Sequence, residues 1–458
     1  MPKARKVLLR KRIQMMSVLL SILSCFMVIA LISLPTSSVR LGEQINTASV
    51  RAETVARQTQ RGDLLDRNGE SLTQNSLDGR SLLFPALSPV IGYSSKIYKF
   101  SGLEFFLNDK LTSSASHTKI GDSFRLSLSL PLSQRINDIA KRNDALSSNG
   151  TIIIMDANTG EILTMLSYPI FDANMIDEQF NELVSTGVDY FNNKALQAFV
   201  PGSVWKIITS AAIIRAGNHI AVYNDSGEYS VDGITIKNAG GAKYGELTEG
   251  VITGLGKSVN TYMAYKANEM QPDVYESVIK DFLIGEKLEF DFGVTQSAYS
   301  LGTNGFSRKE IALTSFGQGK TLISPIQITM VTATVANGGY LVEPHMVLGK
   351  TASNGKAYHS KPTKNHEKIL SKKECAYIES GMQLCSEVLK FDPALCIYTK
   401  TGTAQTGRPE EVHKWLTAYV TINGKSYAIT VAAFYCEGFG KDLKPVIDDI
   451  VNILYEFR

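Results

Sequence analysis

Two groups of strand-like residues, far apart in the chain, restrict the fold more than any other feature. Thr151-Ile152-Ile153-Ile154-Met155 is a near-continuous apolar run, the pattern of a strand buried on both faces. Turn chemistry at Asp156 to Gly160 leads into a second strand, Glu161 to Ser167. Much later, Cys396 to Thr399, Trp415 to Ile422 and Lys425 to Tyr435 read as three more. The last two are joined by Asn423-Gly424, a strong tight-turn signal. Lys441 to Phe457 then has the apolar spacing of an amphipathic helix. Strands at both ends of an about 300-residue segment, with helices between and after, predict a five-stranded antiparallel sheet. The chain leaves that sheet for a helical lobe and returns, which makes an α/β (α+β) architecture.

The excursion opens at Phe199-Val200-Pro201-Gly202-Ser203-Val204-Trp205-Lys206. Pro201 and Gly202 break the preceding structure, and Ile207 to Ile214 is apolar almost all round until Gly217. Ser203 and Lys206 sit at the front of this buried helix, at a spacing that places them on one face. A lysine near a helix start opposes the macrodipole. With burial, that favours a neutral amine, which is a base. A base beside a serine makes a nucleophile. Taken alone, the pair is better accounted for by a serine cap beside a solvated lysine.

Two further groups fall in the same segment. Gly256-Lys257-Ser258-Val259-Asn260 lies between a helical stretch, Leu247 to Leu255, and a second, Thr261 to Ala267. Alternation puts the Ser258 hydroxyl and the Asn260 amide on the same side of a short connection, where one could pass protons and the other bond a peptide carbonyl. Lys400-Thr401-Gly402-Thr403 directly follows the expected strand at Cys396 to Thr399. It offers a charge, hydroxyl donors and a close backbone approach to a peptide lying along the sheet edge. Each group has a plain structural reading, a helix cap and a charged strand edge respectively.

The amino-terminal region sets the location. Lys3, Arg5, Lys6, Arg10, Lys11 and Arg12 form a basic head, followed by an uncharged run of about 22 residues from Ile13 to Leu34. That order predicts a single transmembrane anchor with the amino terminus cytoplasmic and the remainder outside the cell membrane. Net charge is only +3, with much of the excess in this head, so composition gives no case for nucleic-acid binding. The expected organisation is a cytoplasmic tail (1–12), an anchor (13–34), a small mixed pedestal domain (35–145) and the sheet-and-lobe domain (146–458). Within the pedestal, Asp66-Arg67-Asn68-Gly69 reads as a hairpin turn. Cys375, Cys385, Cys396 and Cys436 could pair in an oxidising exterior or pack as buried thiols.

Ser-x-x-Lys, then Ser-x-Asn about 55 residues on, then Lys-Thr-Gly about 140 residues later is an ordered trio known from β-lactamases and penicillin-binding proteins. The segment 146–458 resembles the transpeptidase domain of class B penicillin-binding proteins. Thr159-Gly160-Glu161-Ile162-Leu163 with Ser167-Tyr168-Pro169, and Asn193-Lys194-Ala195-Leu196, fall where that family has them. Gly317-Gln318-Gly319, Ser324-Pro325-Ile326-Gln327 and Ala336-Asn337-Gly338-Gly339 follow in family order. Arg61-Gly62 with Asp66 to Gly69 resembles the class B pedestal signature. Val204-Trp205, where the family more often has Thr-Phe, is a departure, as are the cysteines near Lys400.

The resemblance implies a penicillin-binding transpeptidase (β-lactamase-like) fold and acyl transfer on Ser203, with Lys206 as base. It implies Ser258 as proton relay and Asn260 holding the donor's amide. Lys400, Thr401 and Thr403 would bind the terminal carboxylate, with Gly402 between them, and the N–H groups of Ser203 and Thr403 would form the oxyanion hole. The implied substrates are peptidoglycan stem peptides and, as inhibitors, β-lactams; no metal or cofactor is required. The pedestal is too short for a glycosyltransferase domain, which implies a separate glycan polymerase of the SEDS type and other cell-wall synthesis proteins as partners. A D,D-carboxypeptidase, a penicillin sensor or a non-catalytic scaffold are the rival readings.

Overall fold

Residues 61–76, 79–112, 121–303, 305–352, 354–359 and 367–457 are described by the structure, a computed structural model. The expected membrane anchor lies outside these residues, as does the start of the expected pedestal. Among the described residues no helix is long and apolar enough to cross a membrane.

The five expected strands are β1 (Gly150–Asp156), β2 (Ile162–Ser167), β3 (Tyr398–Gln405), β4 (Val412–Ile422) and β5 (Lys425–Cys436). They form one sheet in the order β3-β4-β5-β1-β2, with every neighbouring pair antiparallel. All six residues of β2 are buried, so both faces of the sheet are covered. The helices are α1 (Leu130–Ala140), α2 (Lys206–Arg215), α3 (Val251–Gly256), α4 (Asn260–Glu269), α5 (Pro325–Ala336), α6 (Lys372–Val388) and α7 (Lys444–Glu456), of which α1, α5, α6 and α7 pack on the sheet strands.

Helix α5 crosses β5, β4 and β1, and α6 packs on β3. Every residue of α5 from Pro325 to Val335 is buried, although three of them are threonines. Thr329, Thr332 and Thr334 each donate to the carbonyl four residues back, at 2.9 Å. Those bonds satisfy hydroxyls that would otherwise be costly in an apolar layer.

Arg61 to Gly69 is where the pedestal meets the sheet. Asp66 is fully buried, and its carboxylate accepts from the N–H groups of Asn68, Glu70 and Leu130. One carboxylate thus closes its own turn and caps α1. The turn is longer than a two-residue hairpin, because Leu65 bridges Ser71 around it. Arg67 reaches Glu161, ahead of β2, at 3.0 Å. Leu64–Leu65 pairs in parallel with Ser123–Leu126, which pairs with Val347–Thr351, so late residues join a sheet that begins in the pedestal.

Candidate active site

Ser203 does not open a regular α-helix, as the sequence suggested. Gly202–Trp205 is a 3-10 turn, and α2 begins at Lys206. The tighter turn still keeps residues three apart on one side. Its position is fixed from both flanks: Trp205 Nε1 donates to the Tyr275 hydroxyl at 3.0 Å and Trp415 Nε1 to the Val200 carbonyl at 3.1 Å. Trp205 is fully buried, so the departure at that position fills core volume. Ser203 itself stays partly exposed.

Lys206 is fully buried at the start of a helix that stays buried as far as Ile214. Its Nζ lies 2.7 Å from the Ser258 carbonyl, 2.6 Å from Asn260 Oδ1 and 3.1 Å from Ser258 Oγ. Lys400, also fully buried, places Nζ 3.0 Å from the same Ser258 hydroxyl and 3.0 Å from the Thr401 carbonyl. The Ser258 hydroxyl therefore bridges two lysines. Burial holds the Lys206 amine well below its usual pKa, the charge of Lys400 lowers it further, and the Cys385 thiol acts weakly the other way. Burial also lowers Lys400. A neutral Lys206 can donate its two protons to the carbonyl and amide oxygens and keep its lone pair for a hydroxyl.

The connection between α3 and α4 differs from expectation. Gly245–Leu247 is a short strand and α3 starts only at Val251, so the expected helix over Leu247 to Leu255 is cut at its front. Gly250 has φ 46°, a backbone that stops helix propagation toward the amino end. Ser258 has φ 60°, uncommon for a residue with a side chain and frequent at functional sites. Asn260 Nδ2 donates to the Lys237 carbonyl at 2.9 Å.

The third group lies inside a strand rather than after one. Lys400, Thr401, Gly402 and Thr403 pair with Thr417, Leu416, Trp415 and Lys414, so β3 runs on to Gln405. Gly402 gives the close backbone approach expected of it, but from inside the strand rather than past its end. A Cβ on it would meet the Pro201 carbonyl oxygen at 2.8 Å, Trp415 Cβ at 3.1 Å and Val204 Cγ1 at 3.2 Å. Glycine lets β3 lie directly against the turn that carries Ser203. Thr401 and Thr403 are half-exposed on one face of the edge strand. The Thr403 hydroxyl accepts from Gly440 N–H at 2.9 Å, which leaves its own proton free for an acceptor.

All the expected site residues, Ser203, Lys206, Ser258, Asn260, Lys400, Thr401, Gly402 and Thr403, thus come from three elements that converge. The four late cysteines are free thiols; Cys375 and Cys385 are buried, whereas Cys396 is exposed. Among the described residues no group of three or more His, Cys, Asp or Glu side chains is placed to hold a metal. Sequence reasoning passed over Tyr275, Gly440 and the stretch 223–247. The signal it could have used in that stretch is Asp225-Ser226-Gly227, turn chemistry ahead of a hairpin.

Residues 150–442 match the family model described as the penicillin binding protein transpeptidase domain. The chain is similar to the peptidoglycan D,D-transpeptidase PbpA of Mycolicibacterium smegmatis, 24% identical over 309 residues. That alignment covers 62% of this chain and 61% of the relative. It is 24% identical to penicillin-binding protein 3 of Bacillus subtilis over 63% of this chain and 43% of that protein. Among solved structures, PBPA from Mycobacterium tuberculosis superposes with a TM-score of 0.79 at 21% identity, covering 88% of this chain and 100% of that one. Its ceftriaxone acyl-enzyme complex superposes at 0.78, also at 21% identity, over 87% of this chain and 98% of that one.

Proposed function

The chain belongs to the penicillin-binding protein transpeptidase family, and from that premise we propose that it is a serine D,D-transpeptidase that cross-links peptidoglycan stem peptides and is acylated by β-lactams. The observation that carries this reading is the Ser258 hydroxyl held between two buried lysines, Lys206 and Lys400, with Ser203 on the turn that leads into Lys206.

Ser203 Oγ attacks the carbonyl carbon between the two terminal D-alanines while the lone pair of Lys206 Nζ takes the hydroxyl proton. The developing oxyanion sits between the N–H groups of Ser203 and Thr403, brought near one another by the Gly402 contact. Collapse breaks the peptide C–N bond, and the leaving amine takes its proton through Ser258. Lys400, Thr401 and Thr403 bind the terminal carboxylate, and Asn260 bonds the donor's amide. An amine of a second strand then attacks the ester, forms the cross-link and frees Ser203.

We place this chemistry outside the cell membrane, the chain being held by its Ile13 to Leu34 stretch, with glycan polymerisation left to a separate membrane partner. The support for that placement is the basic head followed by an uncharged apolar run. A fluorescent penicillin should label the purified protein covalently, and Ser203→Ala should abolish labelling while the protein stays folded. Equal labelling of the alanine variant would sink the assignment. Mass spectrometry of the products from nascent glycan with an acceptor amine present separates transpeptidation from hydrolysis.

A further inference from the structure

We propose that Asp225 is a positioning residue of this site, which sets the side-chain amide of Asn260 and so keeps the lone pair of Lys206 free. The inference rests on the catalytic reading above and deepens it.

Asp225 is buried, and among the described residues no lysine or arginine forms an ion pair with it. Its charge is met by four donors instead. Oδ1 accepts from the Thr261 hydroxyl at 2.6 Å and Gly227 N–H at 3.1 Å. Oδ2 accepts from Asn238 Nδ2 at 2.9 Å and Tyr244 N–H at 2.8 Å. Burial pushes this carboxyl's pKa up, but the four bonds outweigh it and the net shift is downward. Such a buried anion fixes every group that points at it.

Those groups flank the Asn260 amide. Thr261 follows Asn260 in sequence, and its N–H donates to Asn238 Oδ1 at 3.2 Å. Lys237 precedes Asn238, and its carbonyl accepts a hydrogen bond from Asn260 Nδ2 at 2.9 Å. Asp225 therefore grips both residues next to the Asn260–Lys237 bond. A carbonyl can only accept, so the amide must present its nitrogen there and its oxygen to Lys206, 2.6 Å away. In this orientation Asn260 consumes an N–H of the neutral amine. The flipped amide would donate into the amine's lone pair and quench the base. The hairpin of Glu228–Val231 and Ile234–Lys237, which carries that carbonyl, is tied to the site through Asp225.

Asp225→Asn is nearly isosteric but turns one acceptor into a donor that faces existing N–H groups. In the full-length protein it should slow the first-order acylation step by a fluorescent penicillin about tenfold, over and above any weakening of the preceding binding step through the Asn260 amide. In an Asn260→Ala background the same change should cost less than about twofold, because its target is gone. Equal slowing in both backgrounds overturns the proposal and leaves Asp225 a fold-stabilising residue. Where Asp225→Asn does not fold, Thr261→Val removes one of the four bonds and enters the same cycle. A second readout is independent of acylation: the Asn260 side-chain N–H₂, seen by NMR after selective ¹⁵N-asparagine labelling, should exchange slowly in the native protein and faster in Asp225→Asn. Unchanged protection overturns the inference even if the native protein proves unreactive to penicillin, an outcome that by itself removes only the catalytic reading.

Discussion

Lys206 and Lys400 share one hydroxyl, at 3.1 and 3.0 Å from Ser258 Oγ. Burial disfavours the charged form of Lys206, and the nearby charge of Lys400 adds to it, so the Lys206 amine is held well below its usual pKa. Acylation should therefore fall on acidification, as the amine regains its proton, with a midpoint well below the usual lysine value. Lys400→Met removes the neighbouring charge and should move this acid limb to higher pH, read from stopped-flow acylation rates between pH 5 and 9 as an order-of-magnitude range for such profiles. Stability carries the same signature. Between the lowered folded pKa and the usual 10.5, the unfolded chain binds a proton that folded Lys206 does not. Folding stability should thus gain as pH rises through that window, and Lys206→Met should flatten the gain in urea melts. The lysine and its serine could be picked out from their i, i+3 spacing; the burial that lowers the amine's pKa, and the second lysine 194 residues on that lowers it further, act through the fold.

At the scale of elements, the site depends on β3 lying hard against the Ser203 turn. Gly402 is not in the left-handed region, so alanine there meets a packing limit rather than a backbone one. Gly402→Ala should force β3 from the turn, costing roughly 1–3 kcal/mol of stability, and slow acylation by more than that loss alone explains, since the Thr403 N–H moves with the strand. Thermal melts and labelling rates together check this. Strands β1, β2, β4 and β5 could be read within a few residues, because alternating or continuous apolar patterns persist in any environment. β3 was read short. Thr401-Gly402-Thr403 looks like a loop by propensity, and pairing with Trp415 and Lys414 overrides it.

Across the whole molecule, charged residues set deep in the pedestal hold a second centre. Glu104 accepts from Arg61 at 2.7 and 3.1 Å and also from Arg80, with all three side chains at most 8% exposed. Neutralising the shared carboxylate strands two guanidinium groups in the interior. Glu104→Gln should cost about 3–5 kcal/mol in urea unfolding while the folded fraction still reacts with penicillin at the native rate. A parallel loss of acylation per folded molecule would mean that the pedestal acts on the cleft as well as on stability. Asp66, capping α1 from the pedestal turn, and Arg67, reaching Glu161, tie the two regions together.

The sequence alone determined the order of the chemistry and the kind of fold. A serine, a lysine and two later motifs recur at spacings that survive without any knowledge of contacts, and strand periodicity is local. The tertiary structure decided what those residues can do. Ser258 is 52 residues from Lys206 and 142 from Lys400, yet its hydroxyl touches both. Whether an amine is neutral, whether an amide presents oxygen or nitrogen, and how near a strand comes to a turn depend on burial and on neighbours across the fold. None of these is a property of a short stretch of sequence. The opening pair, Ser203 and Lys206, became a site only when Lys400, Gly402 and the Asp225 hairpin were brought around it.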